Sequence, residues 1–315
     1  MATGKPLPYV GRFAPSPTGP LHFGSLLAAV ASYLDARSHN GRWLVRVEDI
    51  DPPREQAGAT DRILSALDAF GFEWDGPVGY QSSRKDAHAA AVKKLIETGI
   101  AYPCGCSRRD LADQPNTELG IRYPGTCRNG TQSTNTALRI RTHNRPIEFD
   151  DRLQGTQAHR LDSESGDFVI LRKDRLIAYQ LAVVVDDDLD EITDVVRGID
   201  LLASTPRQIH VQQSLGLTVP RYAHIPVATN QRGQKLSKSY GAAEILVDRA
   251  SETLFLALQC LQQTPPEALA RETLDTIWAW AMQNWRMDAL LELKTIPVGE
   301  FPLARAEISQ SVSDS

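Results

Sequence analysis

The sequence predicts an α/β fold with a parallel sheet, an inserted metal-binding segment and a short helical region towards the C-terminus. The first observation is a strand, a helix and a strand in succession, at Tyr9–Ala14, Leu26–Arg37 and Trp43–Val47. Strands connected through a helix in this way lie parallel. The second is a group of three neighbouring cysteines in a segment that lacks hydrophobic periodicity. The third is the helical spacing of apolar residues in Ala250–Leu293.

The bulk composition is that of an ordinary globular protein. The 315 residues are 42% hydrophobic and 23% charged, and no apolar run approaches the roughly 20 residues that a membrane helix needs. Residues Met1 to Val10 do not resemble a secretory signal, so we expect a cytoplasmic location. We also expect a monomer. A net charge of -5 argues against a surface covered in positive charge for nonspecific nucleic-acid binding. It leaves room for a local basic face.

The remaining elements follow from periodicity and from glycine stops. Helices are predicted at Thr60–Phe70, Ser83–Thr98 and Thr205–Leu215, and strand-like segments at Leu138–Arg141, Phe168–Leu171, Leu176–Val185 and Ile225–Ala228. These elements divide the chain into a first half of the main domain (1–101), the metal-binding insertion (102–150), a second half (151–245), a helical region (246–303) and a disordered tail (304–315).

A proline- and glycine-rich loop joins the first strand to the first helix. It runs from Gly11 to Ser25 and places backbone N–H groups near the positive end of a helix, an arrangement that suits phosphate. Gly24 would let a nucleotide approach the backbone, and His22 can donate a hydrogen bond to phosphate oxygen. Taken alone, the loop also fits an ordinary structural connection.

A second cationic loop, Lys235-Leu236-Ser237-Lys238-Ser239, lies more than 200 residues later. Lysine is a flexible point charge for phosphate. By itself this segment is more typical of a solvated surface loop.

Together these loops resemble the two signatures of class I aminoacyl-tRNA synthetases, written HIGH and KMSKS. Residues 12–19 are similar to the glutamyl and glutaminyl branch of that family. The fourth position of the first signature is Ser25 rather than histidine, so the resemblance assigns Ser25 no role. It covers roughly residues 9–245 and implies a Rossmann-type catalytic domain that uses ATP with Mg²⁺. It also implies catalytic roles for His22 and Lys238 and an ATP site at His22, Gly24, Lys235 and Lys238.

A glutamate pocket needs arginine for carboxylate and a carboxylate for the ammonium group. The resemblance implies that Glu48 binds the α-ammonium and that Arg197, with Tyr179, binds the side-chain end. It also implies that the first loop contributes Arg12, Phe13, Ala14, Pro15 and Ser16. Taken alone, each of these residues is more readily explained as structural or solvated.

The cysteine segment predicts a metal site. Cys104, Cys106 and Cys127 supply three soft ligands, and no histidine lies between the last two. The spacing leaves the fourth ligand open, and free structural thiols are the alternative. The resemblance to the zinc insertion of bacterial glutamyl-type enzymes implies a structural Zn²⁺ with Tyr123 as the fourth ligand.

The C-terminal region indicates which branch of the family to expect. About 70 residues follow position 245, whereas glutamyl-tRNA synthetases carry a longer anticodon-binding region. The resemblance is therefore to short members that activate L-glutamate with ATP and attach it to the queuosine base in the anticodon of tRNA(Asp). The main alternative is a shortened conventional synthetase that charges a tRNA 3′ end. A nucleotidyltransferase of the same superfold and a binding module without catalysis are further alternatives.

Overall fold

The computed structural model describes residues 8–230, residue 233 and residues 245–298. The strands are β1 (Val10–Phe13), β2 (Arg42–Val47), β3 (Gly79–Tyr80), β4 (Ala101–Cys104), β5 (Asn116–Thr117), β6 (Gly120–Ile121), β7 (Ala137–Ile140), β8 (Ile147–Asp151), β9 (Gly155–His159), β10 (Phe168–Leu171), β11 (Asp194–Gly198), β12 (Arg221–Ile225), β13 (Val227–Thr229) and β14 (Thr295–Pro297). The α-helices are α1 (Phe23–Ser38), α2 (Ala59–Ala69), α3 (Lys85–Glu97), α4 (Leu161–Glu164), α5 (Tyr179–Leu189), α6 (Thr205–Leu215), α7 (Ala250–Cys260) and α8 (Leu274–Asn284).

The core of the fold is a set of parallel strands, as the sequence predicted. Strand β1 pairs in parallel with β2 across the connection through α1, and β2 pairs in parallel with β3. Strand β11 pairs in parallel with β12, which in turn pairs in parallel with β8. A backbone bond of 3.0 Å from Thr193 N to Val10 O joins the two groups beside β1. The strands of the N-terminal segment and those that follow residue 190 therefore lie side by side, and their carboxyl ends lie close together.

Helix α1 is buried almost all round because it is rich in alanine and leucine. It packs against β1 and β2 on one side and against α7 and α8 on the other. Tyr33 of this helix meets Trp43, Phe72 and Trp278 edge-on, with ring centroids 5.1–5.4 Å apart. The C-terminal helices thus share one hydrophobic core with the first parallel strands.

The predicted strand at Leu176–Val185 is wrong, because most of it lies in helix α5. A short apolar run does not distinguish a buried strand from a buried helix by periodicity. Residues 181–187 are all buried, so tertiary packing overrides the β propensity of the three valines. Asp186 and Asp187 of this helix, and Asp190 directly after it, form ion pairs with arginines on other elements.

Two further segments differ in detail from the prediction. The single strand expected at Ile225–Ala228 is two strands, β12 and β13, separated by Pro226, which has no N–H for a ladder bond. The helical region beyond residue 250 is interrupted between α7 and α8 by a 3₁₀ segment, Glu267–Arg271. The lysine loop at Lys235–Ser239 and the tail at 304–315 lie outside the described residues.

The cysteine segment packs on a separate antiparallel sheet of β10, β7 and β4. It contains the small β5–β6 hairpin and little other regular structure. Its buried contacts centre on Tyr102, Cys104, Tyr123 and Cys127. Within the described parts of the chain, no helix is long and apolar enough to cross a membrane.

Candidate active site

A cavity of about 380 Å³ opens where β1, β2, β11 and β12 end. Carboxyl ends of parallel strands are the usual place for a ligand in an open α/β sheet. The structure places around it the predicted residues Arg12, Phe13, Ala14, Pro15, Ser16, His22, Gly24, Glu48, Tyr179 and Arg197. Lys235 and Lys238 lie outside the described residues.

His22 caps the N-terminus of α1 at the edge of this cavity. Its Nδ1 accepts a hydrogen bond of 3.2 Å from Ser25 N, so the ring proton belongs on Nε2. Ser25 Oγ lies 2.9 Å from that Nε2. Ser25 therefore orients the His22 ring, a contact that the sequence did not indicate. The ring and the positive helix end together suit an anionic group.

Two buried arginines beside the cavity are matched by carboxylates. Arg12 Nε lies 3.1 Å from Asp187 Oδ1, and Arg46 Nη2 lies 2.7 Å from the same oxygen. Arg46 Nη1 also donates to Asp190 Oδ2 at 2.7 Å. Such pairing satisfies the charges of Arg12 and Arg46 within the protein. Asp187 belongs to α5 and Asp190 follows it directly, so the helix found where a strand was predicted also fixes Arg12 and Arg46.

Glu48 is the buried carboxylate of the cavity. Its side chain is 8% exposed and its Oε1 lies 3.9 Å from Arg46 Nη2. Burial raises the pKa of Glu48 to about 7, although Arg46 and Arg12 act in the opposite direction. A cation that enters the cavity would stabilise the ionised form of this carboxyl group. The position thus suits an ammonium group.

Arg197 differs from the other two arginines because its partners are neutral. Its Nε donates to His224 Nε2 at 3.0 Å, and its Nη2 donates to Thr205 Oγ1 at 2.8 Å. Its Nη1 is buried and has no hydrogen-bond partner among the described residues. Burial raises the pKa of neighbouring Tyr179, which keeps that hydroxyl protonated. This end of the cavity therefore offers a guanidinium without an ion-pair partner among the described residues, and a hydroxyl.

Several residues of the site were not identified from the sequence. Asp200 and Leu201 line the cavity just after β11, and a polar residue following a parallel strand is a usable signal for Asp200. His224 and Asp151 lie behind Arg197. A lone histidine in the apolar segment of β12 gives no such signal, because its partners come from distant strands.

Comparison with known proteins identifies the family. A family profile described as "tRNA synthetases class I (E and Q), catalytic domain" matches residues 9–256. The chain belongs to this class I synthetase family. Its relatives include the "Glutamyl-Q tRNA(Asp) synthetase" of Dechloromonas aromatica, 55% identical over 90% of this chain and 96% of the relative. The protein of the same name from Aromatoleum aromaticum is 51% identical over 96% of this chain and 97% of the relative.

Solved structures agree on the fold of this class I synthetase. The glutamate-tRNA synthetase from Elizabethkingia anophelis aligns with a TM-score of 0.76 at 20% identity, covering 94% of this chain and 68% of that one. A glutamate tRNA ligase from Elizabethkingia meningosepticum in complex with its amino acid gives 0.75 at 21% identity, covering 92% and 67%. At such identities the agreement concerns the fold, which is the mixed α/β architecture with a parallel sheet.

In this class I synthetase the three neighbouring cysteines form one cluster. Their sulfur atoms all lie within 4.8 Å of one another, and Cys106 Sγ is 3.6 Å from Cys127 Sγ. Tyr123 Oη lies 3.3 Å from Cys104 Sγ and 3.9 Å from Cys106 Sγ. Burial acts to raise the pKa of Cys127, but hydrogen bonds from Gly105 N and from Tyr123 outweigh it and lower that pKa to about 7.

The cluster is compact enough to surround one metal ion. Ligands about 2.3 Å from a zinc ion lie about 3.8 Å apart at tetrahedral angles. The individual contacts of 3.3, 3.6 and 3.9 Å lie near that value, and all three sulfur atoms are within 4.8 Å of one another. Arg139 adds positive charge: its Nε lies 3.3 Å from Cys104 Sγ and its guanidinium 3.8 Å from the ring centre of Tyr123. Burial raises the pKa of the Cys106 thiol to about 11, so the three thiols are not alike. Three thiolates and a nearby phenol can hold a metal ion.

Proposed function

We propose that the protein activates L-glutamate with ATP and transfers the glutamyl group to the queuosine base in the anticodon of tRNA(Asp). The observation that carries this proposal is the charge pattern of the cavity, with buried Glu48 at one place and uncompensated Arg197 at another. An α-amino acid with an acidic side chain matches both. The names of relatives 50–55% identical over most of the chain support the same activity.

Glutamate would bind with its α-ammonium at Glu48 and its side-chain carboxylate at Arg197 and Tyr179. Arg12 and Ser16 would hold the α-carboxylate and the backbone from the first loop. Arg12 stays in place through Asp187, so it can orient an oxygen without moving on binding. A neutral side chain such as that of glutamine would leave the Arg197 charge buried and unpaired.

Activation would take place between this pocket and the N-terminus of α1. An α-carboxylate oxygen of glutamate attacks the α-phosphorus of ATP, and the bond to the leaving pyrophosphate breaks. His22 Nε2–H, which lies against Ser25 Oγ in this structure, would shift its hydrogen bond to phosphate oxygens as their charge increases, and Lys238 from the second loop would act with it. Gly24 and Lys235 complete the proposed ATP site. Mg²⁺ is expected to accompany the ATP.

Transfer would use the activated carbonyl of the glutamyl-adenylate. A hydroxyl on the queuosine ring attacks that carbonyl, the bond between the carbonyl carbon and the AMP phosphate oxygen breaks, and the hydroxyl proton passes to a phosphate oxygen of the departing AMP. The adenylate is reactive, so positioning of the hydroxyl supplies most of the acceleration and no side-chain base is required. Charging of a tRNA 3′ end, the main alternative, is not favoured by the relatives' names.

We also propose that Cys104, Cys106, Cys127 and Tyr123 hold a structural Zn²⁺. Four protein ligands leave no open position, so such an ion would stabilise the insertion and take no part in chemistry. The segment has few buried apolar residues of its own, so metal binding would supply the stability that its core does not.

Two measurements test the function. The first is glutamate-dependent ATP–pyrophosphate exchange without tRNA. The second follows labelled glutamate on tRNA(Asp) with and without queuosine, and on tRNA(Glu), followed by nuclease digestion to separate the anticodon fragment from the 3′-terminal nucleoside. We expect exchange without tRNA and label only in the anticodon fragment of queuosine-bearing tRNA(Asp). Label on the 3′-terminal nucleoside of tRNA(Glu) would support the conventional synthetase instead.

A further inference from the structure

A row of three hydrogen-bonded side chains crosses the sheet and ends at the cavity. Asp151 ends β8, His224 belongs to β12 and Arg197 to β11. The parallel register places Arg197 beside His224 on the adjacent strand. His224 Nδ1 lies 2.5 Å from Asp151 Oδ2, and its Nε2 lies 3.0 Å from Arg197 Nε. All three residues are at most 5% exposed.

The proton positions in this row follow from the chemistry of its ends. A guanidinium group only donates, so His224 Nε2 accepts and the ring proton is on Nδ1, which donates to Asp151. Burial lowers the pKa of His224 to about 4, so the ring is neutral near pH 7. Asp151 Oδ1 accepts from the backbone N atoms of Leu153 and Gln154 at 3.0 and 2.9 Å. Its charge is therefore satisfied away from Arg197.

Arg197 differs from the other buried arginines near the cavity in that it has no ion-pair partner among the described residues. Arg12 and Arg46 each form an ion pair with Asp187, whereas no carboxylate among the described residues forms an ion pair with Arg197. The neutral ring of His224 fixes the direction of the Arg197 side chain and leaves its charge intact. A carboxylate in place of the ring would fix the same side chain and cancel the charge.

We propose that His224 and Asp151 are positioning residues that make the pocket select a carboxylate over a carboxamide. They hold the Arg197 side chain at the wall of the cavity, and they do so without neutralising the guanidinium. A carboxylate pairs with that buried charge, while a carboxamide leaves it unpaired. This inference rests on the proposed function, because it takes glutamate as the ligand.

The test compares two replacements of His224 that fill the site differently. His224→Gln keeps a neutral acceptor for Arg197 and a donor for Asp151, whereas His224→Met keeps neither. His210→Met is the matched control, because His210 is also a buried histidine and its hydrogen bond goes to a backbone oxygen, Arg141 O, 2.8 Å away. It does not line the cavity. Pyrophosphate exchange is measured with glutamate and with glutamine, and the KM for ATP is measured at saturating glutamate.

We expect His224→Met to raise the KM for glutamate about ten- to hundredfold, the range for losing a hydrogen bond to a charged group. The glutamate-to-glutamine ratio of kcat/KM should fall by a similar factor, with the KM for ATP changed less than about twofold. His224→Gln should recover most of the loss, and His210→Met should affect neither substrate selectively. Equal impairment of the Gln and Met variants, or an equal rise in the KM for ATP, would overturn the inference.

Asp151→Asn provides a second route if His224→Met does not fold. An amide at position 151 can donate to His224 Nδ1, which moves the ring proton to Nε2 and directs a donor at Arg197. The same selective loss for glutamate is expected, and an unchanged glutamate-to-glutamine ratio would count against the positioning role. Absence of glutamate-dependent exchange in the unaltered protein would instead remove the proposed function, so the two failures are distinguishable.

Discussion

A change of pH from 6 to 8 is expected to raise kcat/KM for glutamate about tenfold through the ionisation of Glu48. The side chain is buried against Arg46 and lines the cavity. Burial raises its pKa to about 7. Only the ionised form attracts the α-ammonium of the substrate, so apparent affinity follows the ionised fraction of the free enzyme.

The magnitude follows from the pKa. With a pKa of about 7, roughly a tenth of the molecules carry an ionised Glu48 at pH 6 and roughly nine tenths at pH 8. Apparent affinity scales with the competent fraction, which gives the tenfold change. The same shift affects folding: between the ordinary glutamate pKa of 4.5 and about 7, the folded chain holds a proton that the unfolded chain has lost. This group therefore lowers the free energy of unfolding as the pH rises through that range.

The assay is pyrophosphate exchange at saturating ATP and limiting glutamate, in steps of half a pH unit. Glu48→Gln is the control, and it should bind glutamate weakly with no inflection near pH 7. Saturating glutamate should flatten the profile of the unaltered protein, because bound ammonium favours the ionised acid. A profile that falls with pH, or an inflection that persists in Glu48→Gln, would refute the assignment of this ionisation to Glu48.

Two further predictions concern the cysteine cluster. Cys127→Ser should lose most of the one zinc ion expected per chain, as measured by elemental analysis. Cys260 is a buried cysteine outside the cluster, so the control variant Cys260→Ser should keep its zinc. A full zinc content in Cys127→Ser would contradict the proposed ligand set. Gly166→Ala should weaken zinc retention and lower the melting temperature, because a Cβ there would lie 2.0 Å from Tyr123 O. Gly99→Ala is the control, because Gly99 has a similar positive φ but a Cβ there would meet no atom within 4 Å. This variant should lose only about 1–2 kcal/mol of stability and keep its zinc. Equal effects of the two alanine variants would exclude a role for the contact with Tyr123.

Much of the fold was accessible from local patterns. The strand, loop and helix at residues 9–38 form as predicted, because apolar runs, a proline-rich turn and an alanine-rich helix each specify their own backbone. Thr205–Leu215 is likewise a helix with the predicted bounds, since Pro206 stands in its first turn and Gly216 ends it. These signals depend on neighbours in sequence, which a single chain displays directly.

Helix α5 is a segment whose secondary structure the local sequence pattern did not predict correctly. Leu181 to Val185 carry three β-branched residues, and their conformation is decided by burial on all sides rather than by propensity. Asp187, which follows soon after, accepts hydrogen bonds from Arg12 and Arg46, which lie more than 140 positions away in the chain. No pattern within a short window contains that pairing.

The sequence by itself determined the candidate chemistry of this protein: two loops whose composition suits phosphate, a set of charged residues suited to glutamate, and three cysteines close enough in sequence for a metal. These are properties of residue type and order. Only the tertiary structure decided how the charges are distributed, because parallel strand register and helix packing bring distant carboxylates to some arginines and not to others. Arg12 and Arg46 form ion pairs with Asp187, whereas Arg197 donates a hydrogen bond to the neutral ring of His224. That difference, set by packing, leaves one positive charge available to a ligand.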